Sequence, residues 1–295
     1  MDDFSQKIGV ITGAGDGMGR SLAAALSAAG CHIAICDIFT EPMAATKAAC
    51  LDGAPAGTRV TTHVCDVSDE SQVLRFATEV QSEHETDHVN LVFNNAGIAG
   101  GGSLFTDERT AWERTFNVCW NGVYYGTRAF LPLLAASDEG HLVNTSSVNG
   151  FWASIGSDVS HTAYSAAKFA VKGFSEALIT DLRLNAPHVS VSVVMPGHIG
   201  TGIAGNSWAV HAGDDGADPD PAITERAAQF RNLAPTTADE AAAVILDGVR
   251  AKQWRILIGD DAHTLDEAVR AHPTEAYDDN FTDRLGGHFS GLRRD

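Results

Sequence analysis

Basic residues are scarce in this chain: 20 Lys and Arg stand against 38 Asp and Glu, for a formal net charge of −18. Such a field repels nucleic-acid phosphates and anionic lipid, so neither is expected as a partner. The acids are spread along the chain with a local excess at 214–220, the pattern of a solvated acidic surface. No stretch of 18 apolar residues is present to span a membrane. No basic, apolar, small-residue leader opens the sequence, so no signal peptide is expected. The five cysteines (Cys31, Cys36, Cys50, Cys65 and Cys119) form no CxxC pair and are odd in number. Free thiols in a reduced, cytoplasmic compartment fit them better than a disulfide framework. The 12 histidines include no HExxH. His84 and His88, spaced i,i+4, fit a solvated helix end, and no metal is expected. Internal repeats and low-complexity segments are also missing.

Apolar residues, by contrast, are plentiful. At 295 residues and 44% hydrophobic, the chain can bury a sizeable core. Short β-branched runs at 7–12, 32–37, 59–66, 90–94, 141–146, 189–195 and 255–258 alternate with Ala-rich amphipathic segments at 19–29, 42–51, 69–84, 110–135, 162–185 and 238–252. This alternation predicts an α/β fold with a doubly wound parallel sheet, the Rossmann architecture, in one domain over 1–260. A Gly-, Asp- and Pro-rich stretch at 204–221 and a short helical pattern at 222–233 predict a substrate loop over about 200–235. Residues 261–295 read as a polar, weakly patterned C-terminal extension. Two readings of it stand: an arm on a neighbouring subunit, or a loose tail.

After the first run comes TGAGDGMG, residues 12–19, leading into a helix. Glycines at 13, 17 and 19 allow a tight turn, backbone approach to a pyrophosphate and close helix–strand packing, with the helix N-terminus facing the phosphates. Asp37 ends the second strand, where an acid hydrogen-bonds an adenosine ribose 2′-OH. A carboxylate there would repel a 2′-phosphate, and no Arg or Lys follows in 38–40. Asp16, inside the turn, adds negative charge on the same side. Both favour NAD over NADP.

Tyr164 and Lys168 occur as YSAAK in a helical pattern, on one helix face. A free tyrosine is a poor base at neutral pH, and a nearby cation favours its phenolate. The pair is suited to general acid–base work on an alcohol or carbonyl.

Taken together, TGAGDGMG, Asp66–Val67, NNAG at 94–97, SSVNG at 146–150, YSAAK and PGHIGT at 196–201 resemble the short-chain dehydrogenase/reductase family in its common form. The resemblance implies a nicotinamide cofactor, held by Gly13, Asp16, Gly17, Met18 and Gly19 of the turn and by Asp37 and Ile38 after the second strand. It implies that Asp66 and Val67 hold the adenine. Asn94, Ala96 and Gly97 would lie beside the adenosine ribose and steady the central sheet. Ile199 and Thr201, after Pro196 and Gly197, would meet the nicotinamide carboxamide and the pyrophosphate. Ser147 would hydrogen-bond the substrate oxygen, Tyr164 would exchange the alcohol proton, and Lys168 would bind the nicotinamide ribose and lower the Tyr164 pKa.

Two departures from the family pattern stand out. The family's fourth catalytic residue is an asparagine three before a glycine in the long central helix, and counting back from Gly122 puts Cys119 there. A thiol bonds weakly, and Asn117 and Asn121 point about 200° away round the helix. The backbone carbonyl at 119 remains available for a proton relay. The span from Ser147 to Tyr164 is also longer than usual and carries Phe151, Trp152 and His161. With Trp208, these aromatics suggest an apolar, cyclic or aromatic substrate, or else Phe151 and Trp152 pack the loop. The reading is an NAD-dependent secondary-alcohol dehydrogenase or ketone reductase. Its alternative is a nucleotide-sensing binding protein impaired through Cys119. Family members commonly pair through their two long helices, so a homotetramer is expected.

Overall fold

The computed structural model describes residues 1, 3–155, 159–213, 221–283 and 285; the acidic stretch 214–220 and the end of the tail lie outside the described residues. The strands are β1 (Ile8–Thr12), β2 (His32–Asp37), β3 (Val60–Val64), β4 (Leu91–Asn94), β5 (Gly140–Thr145), β6 (Val189–Pro196), β7 (Ile199–Gly200), β8 (Thr236–Thr237) and β9 (Arg255–Ile258). The helices are α1 (Gly17–Ala28), α2 (Thr40–Gly53), α3 (Glu70–His84), α4 (Arg109–Phe116), α5 (Gly122–Ala135), α6 (Thr162–Asn185), α7 (Ile203–Ala212), α8 (Pro221–Asn232), α9 (Ala238–Arg250) and α10 (Asp260–Ala271).

Seven strands form one sheet in the order β3-β2-β1-β4-β5-β6-β9, parallel at every pairing. Alternate side chains feed two cores. Ile11, Ile33 and Ile35 pack with Leu22, Leu26, Ile245 and Val249 under α1 and α9. Val10, Ala34 and Val92 pack with Phe76, Phe130 and Leu178 under α3, α5 and α6. Both faces are therefore covered, which is why the strands read as continuous apolar runs rather than alternating ones. The strand order reverses between β1 and β4, and a doubly wound sheet opens its crevice at the carboxyl ends of those strands.

Two features differ from the sequence reading. The single helix expected over 110–135 is α4 and α5 joined by a π-turn at Asn117–Asn121, in which the Gly122 N–H reaches back to the Asn117 carbonyl. Such widened turns recur at functional sites. Second, the weakly patterned tail contains α10, whose Ala262 and Leu265 are fully buried. Its charged face masked the pattern. His84 is the last residue of α3, with Nε2 3.0 Å from the Thr61 hydroxyl.

Candidate active site

A cleft of about 350 Å³ lies at the point where the strand order reverses. One wall is the turn from β1 into α1. Gly13 has φ +64°, and a Cβ there would stand 2.7 Å from the Ala96 Cα. Gly17 has φ +55°, with a Cβ 2.9 Å from Thr201 Cγ2. Neither position admits a side chain, so the turn presents bare backbone to the cleft where α1 begins, and a helix N-terminus is suited to an anion.

The structure brings Gly13, Asp16, Gly17, Met18, Asp37, Ile38, Asp66, Val67, Ala96, Gly97 and Thr201 to the cleft wall. Gly19 is buried behind the turn. Asn94 is buried as well, and its amide donates to Thr127 Oγ1 (3.1 Å) and Asn144 Oδ1 (2.9 Å), tying β4 to α5 and β5. Pro196 ends β6, and the backbone N–H after Gly197, that of His198, donates to Asp261 at 2.7 Å. Ile199 is buried in β7.

Three carboxylates line the cleft, and each is already engaged. Asp37 accepts from the Gly15 N–H (2.9 Å) and the Phe39 N–H (3.1 Å), while burial raises its pKa. Asp66 takes Arg114 Nη1 at 2.7 Å and both the N–H and hydroxyl of Ser68. That carboxylate is thus held by α4 as well as facing the crevice. Asp16 pairs with Arg231 of α8 at 2.8 Å. Helix α7 supplies the outer wall through Ile203, Asn206 and Val210. Their i, i+3, i+7 spacing is one helix face, a signal present in the sequence but hidden in a segment read as a loop.

Ser147, Tyr164 and Lys168 converge beside Gly97. The Ser147 side chain accepts the Asn149 N–H at 3.1 Å, capping a short turn at Val148–Gly150, and hydrogen-bonds Tyr164. Lys168 is buried, its Nζ 5.3 Å from the Tyr164 ring centre and donating to the Thr145 carbonyl at 2.9 Å. The His161 ring lies on Tyr164, 4.7 Å between centres. Burial pushes the phenol well above its ordinary value, and the Ser147 hydrogen bond pulls it back. Burial also lowers the Lys168 ammonium. Burial is thus the largest influence on the phenol in this site, ahead of its charged and hydrogen-bonding neighbours. Desolvation wins, and the phenol rests protonated.

Cys119 occupies the π-turn, its thiol fully buried and donating to the Ile98 carbonyl at 3.1 Å. Asn121 bonds Asn117 at 3.0 Å, so neither amide takes its place. Trp152 is also buried. Its indole N–H donates to the Ala276 carbonyl at 2.7 Å, in a cluster with Leu265, Phe281 and Leu285. Phe151 packs against that cluster beneath the Arg255 guanidinium. These contacts describe loop packing for both rings. Trp208 is half-buried on α7.

The pattern of the short chain dehydrogenase family matches residues 7–211. The chain belongs to the short-chain dehydrogenase family. It is an oxidoreductase of that family. The chain is 38% identical over 272 residues to the oxidoreductase SadH of Mycobacterium tuberculosis (strain ATCC 25618 / H37Rv), covering 92% of each. It is 32% identical over 206 residues to the levodione reductase of Leifsonia aquatica, covering 69% of this chain and 73% of that one. A short-chain dehydrogenase/reductase from Burkholderia phymatum, solved in complex with NAD, superposes with a TM-score of 0.79 at 29% identity, over 93% of this chain and 95% of the other. A sheet of this order, with its crevice between β1 and β4, is what the short-chain dehydrogenase family builds on.

Proposed function

We propose that this protein is an NAD-dependent oxidoreductase that interconverts a secondary alcohol and its ketone, with Tyr164 as general acid and base; an apolar, cyclic or aromatic substrate rests on Trp208 alone, since Phe151 and Trp152 pack the loop. The observation that carries this is the convergence of Tyr164, Ser147 and Lys168 beside a cleft whose other end is a bare glycine turn. The cleft would take a dinucleotide with its pyrophosphate at the glycine turn and its adenosine ribose 2′-OH toward Asp37, both of which line it. Asp37 disfavours a 2′-phosphate, which supports NAD over NADP, whereas the Asp16 charge is paired with Arg231. Asp66 and Val67 would hold the adenine, Thr201 the pyrophosphate, and Ile199 the carboxamide. The bound nicotinamide supplies hydride chemistry.

The protein's part is positioning and proton transfer. The Asn149 N–H holds the Ser147 oxygen in place beside Tyr164, and with substrate bound the hydroxyl would turn from Tyr164 to donate to the substrate oxygen. It can therefore steady negative charge on a carbonyl oxygen. Tyr164, resting as a phenol, gives its proton to that oxygen in reduction and takes it back in oxidation. Lys168 would hold the ribose hydroxyls of a bound cofactor, and its charge would offset the phenolate. With a thiol at position 119, a relay of protons to solvent would run through the backbone carbonyl there. The relative named levodione reductase supports a ketone–alcohol substrate class. Retention of Ser147, Tyr164 and Lys168 speaks against the nucleotide-sensor alternative.

A cytoplasmic homotetramer belongs to the same reading, since five buried free thiols suit a reduced compartment. The test is spectrophotometric. Wild-type protein with NAD and a panel of hydrophobic secondary alcohols should generate reduced nicotinamide. Tyr164→Phe should lower that rate by roughly 10²- to 10⁴-fold while still binding NAD. NAD binding without turnover across the panel would favour the sensor instead.

A further inference from the structure

An acid inside a phosphate-binding turn is an electrostatic oddity, and the structure shows what balances it. Asp16 precedes α1, yet its carboxylate makes no capping hydrogen bond to that helix. It turns outward instead. Asp16 Oδ2 receives Arg231 Nη2 at 2.8 Å and Asn206 Nδ2 at 3.3 Å, from the last turn of α8 and the middle of α7. Position 202 is kept bare for this meeting, because a Cβ there would overlap both Asp16 Oδ2 and Arg231 Nη2. The end of α8 is pinned by a second contact: His198 Nε2 lies 2.7 Å from the Phe230 carbonyl, and the two rings are 4.3 Å apart.

The charges around the cleft leave the turn in need of a cation. Asp16, Asp37 and Asp66 line it, on a chain of net charge −18, and a pyrophosphate would add more negative charge. Arg114 is taken by Asp66, and Arg20 lies one turn into α1. Arg231 is the cation placed on Asp16. Both members of the pair are substantially exposed, and such pairs add little to folding stability. Their value lies elsewhere.

We propose that Arg231 is a cofactor-positioning residue: it neutralises Asp16 so that the turn can accept a dinucleotide, and it thereby ties α7 and α8 to the occupied turn. The proposal rests on the reading of the cleft as a dinucleotide site. Because Asp16 lines the cleft and its carboxylate also holds the α7–α8 wall, cofactor occupancy and the position of that wall become linked.

Titration of NAD into wild type, Arg231→Met, Asp16→Asn and the double variant tests it, with thermal melting to show that each is folded. Arg231→Met should weaken NAD binding about tenfold by leaving Asp16 uncompensated. The double variant should recover to within about threefold of wild type, since the charge to be balanced is gone. Limited proteolysis across 200–235 is the second readout. NAD should protect this region in wild type and protect it much less in Arg231→Met. If wild type binds NAD and Arg231→Met binds it equally well, the proposal is overturned while the cleft reading survives. If wild type binds no dinucleotide, both fall.

Discussion

Burial governs the titratable residues that matter most. Tyr164 rests protonated and Lys168 is drawn down because both are enclosed, although their sequence spacing alone argued for a lowered phenol. Spacing reveals which groups meet, but not how much water surrounds them. The same force acts on His141, which is buried against Ser192 Oγ at 2.7 Å and has its pKa lowered to about 4. A lowered folded-state value means that the unfolded chain takes up the proton first as pH falls from about 6.5. Stability is thus complete above that pH and is lost as pH falls through the folded value near 4, by roughly 3 kcal/mol for this group. Urea unfolding at stepped pH should show the decline, and His141→Gln should make it shallower without abolishing it, since His84 and His161 are also lowered to about 4 by burial; a wild-type curve level from pH 7 to 4.5 would contradict it. Asp37 carries the cofactor choice. Asp37→Ala should raise kcat/KM with NADP relative to NAD by about tenfold or more, since a charge facing the 2′-position is removed; an unchanged ratio would show that another group selects.

Secondary elements were legible where burial is two-sided. All seven strands of the main sheet match the β-branched runs to within two residues at their ends, because most of their side chains are buried on one face of the sheet or the other. The π-turn was not legible, since Asn117–Asn121 keeps a helical side-chain pattern while its hydrogen bonds shift by one residue. Helix α10 was missed for another reason. Its buried Asp261 and Asp266 read as polar surface, yet Asp266 is clamped by Arg255 and Arg270. The segment that follows α10 underlies the loop after Ser147: the Trp152 indole N–H reaches the Ala276 carbonyl, and the Ala153 N–H reaches the Tyr277 hydroxyl at 3.0 Å. Trp152→Ala should therefore cost about 3–5 kcal/mol of folding stability, as for other large core aromatics. A loss below 1 kcal/mol in urea denaturation would mean that the cluster is not a structural anchor.

At the scale of the whole molecule, the glycine turn and the YSAAK pair are 152 residues apart from Thr12 to Tyr164, and only the reversal of strand order between β1 and β4 makes them neighbours. The motifs made the site readable from the sequence; the α7–α8 wall was not, because its contacts to Asp16 and Ala99 are tertiary. The molecule also carries an aromatic cluster on α6 and the α4–α5 limb, with Trp120 and Tyr124 stacked, Phe174 edge-on to both, and Tyr124 and Phe169 38% and 42% exposed. Apolar rings left open on paired helices suit a subunit contact. Light scattering at micromolar concentration should give a tetrameric mass; a monomer would contradict the proposed assembly. The account as a whole turns on hydride passing between substrate and nicotinamide under the control of the Tyr164 phenol. Incubation of the protein with NAD and a secondary alcohol deuterated at its carbinol carbon tests this most directly, read by NMR of the reduced cofactor. Deuterium at C4 of the nicotinamide, with transfer lost in Tyr164→Phe, is the predicted result; NAD bound with no deuterium transferred from any alcohol or to any ketone, or full transfer by the Tyr164→Phe variant, would contradict it.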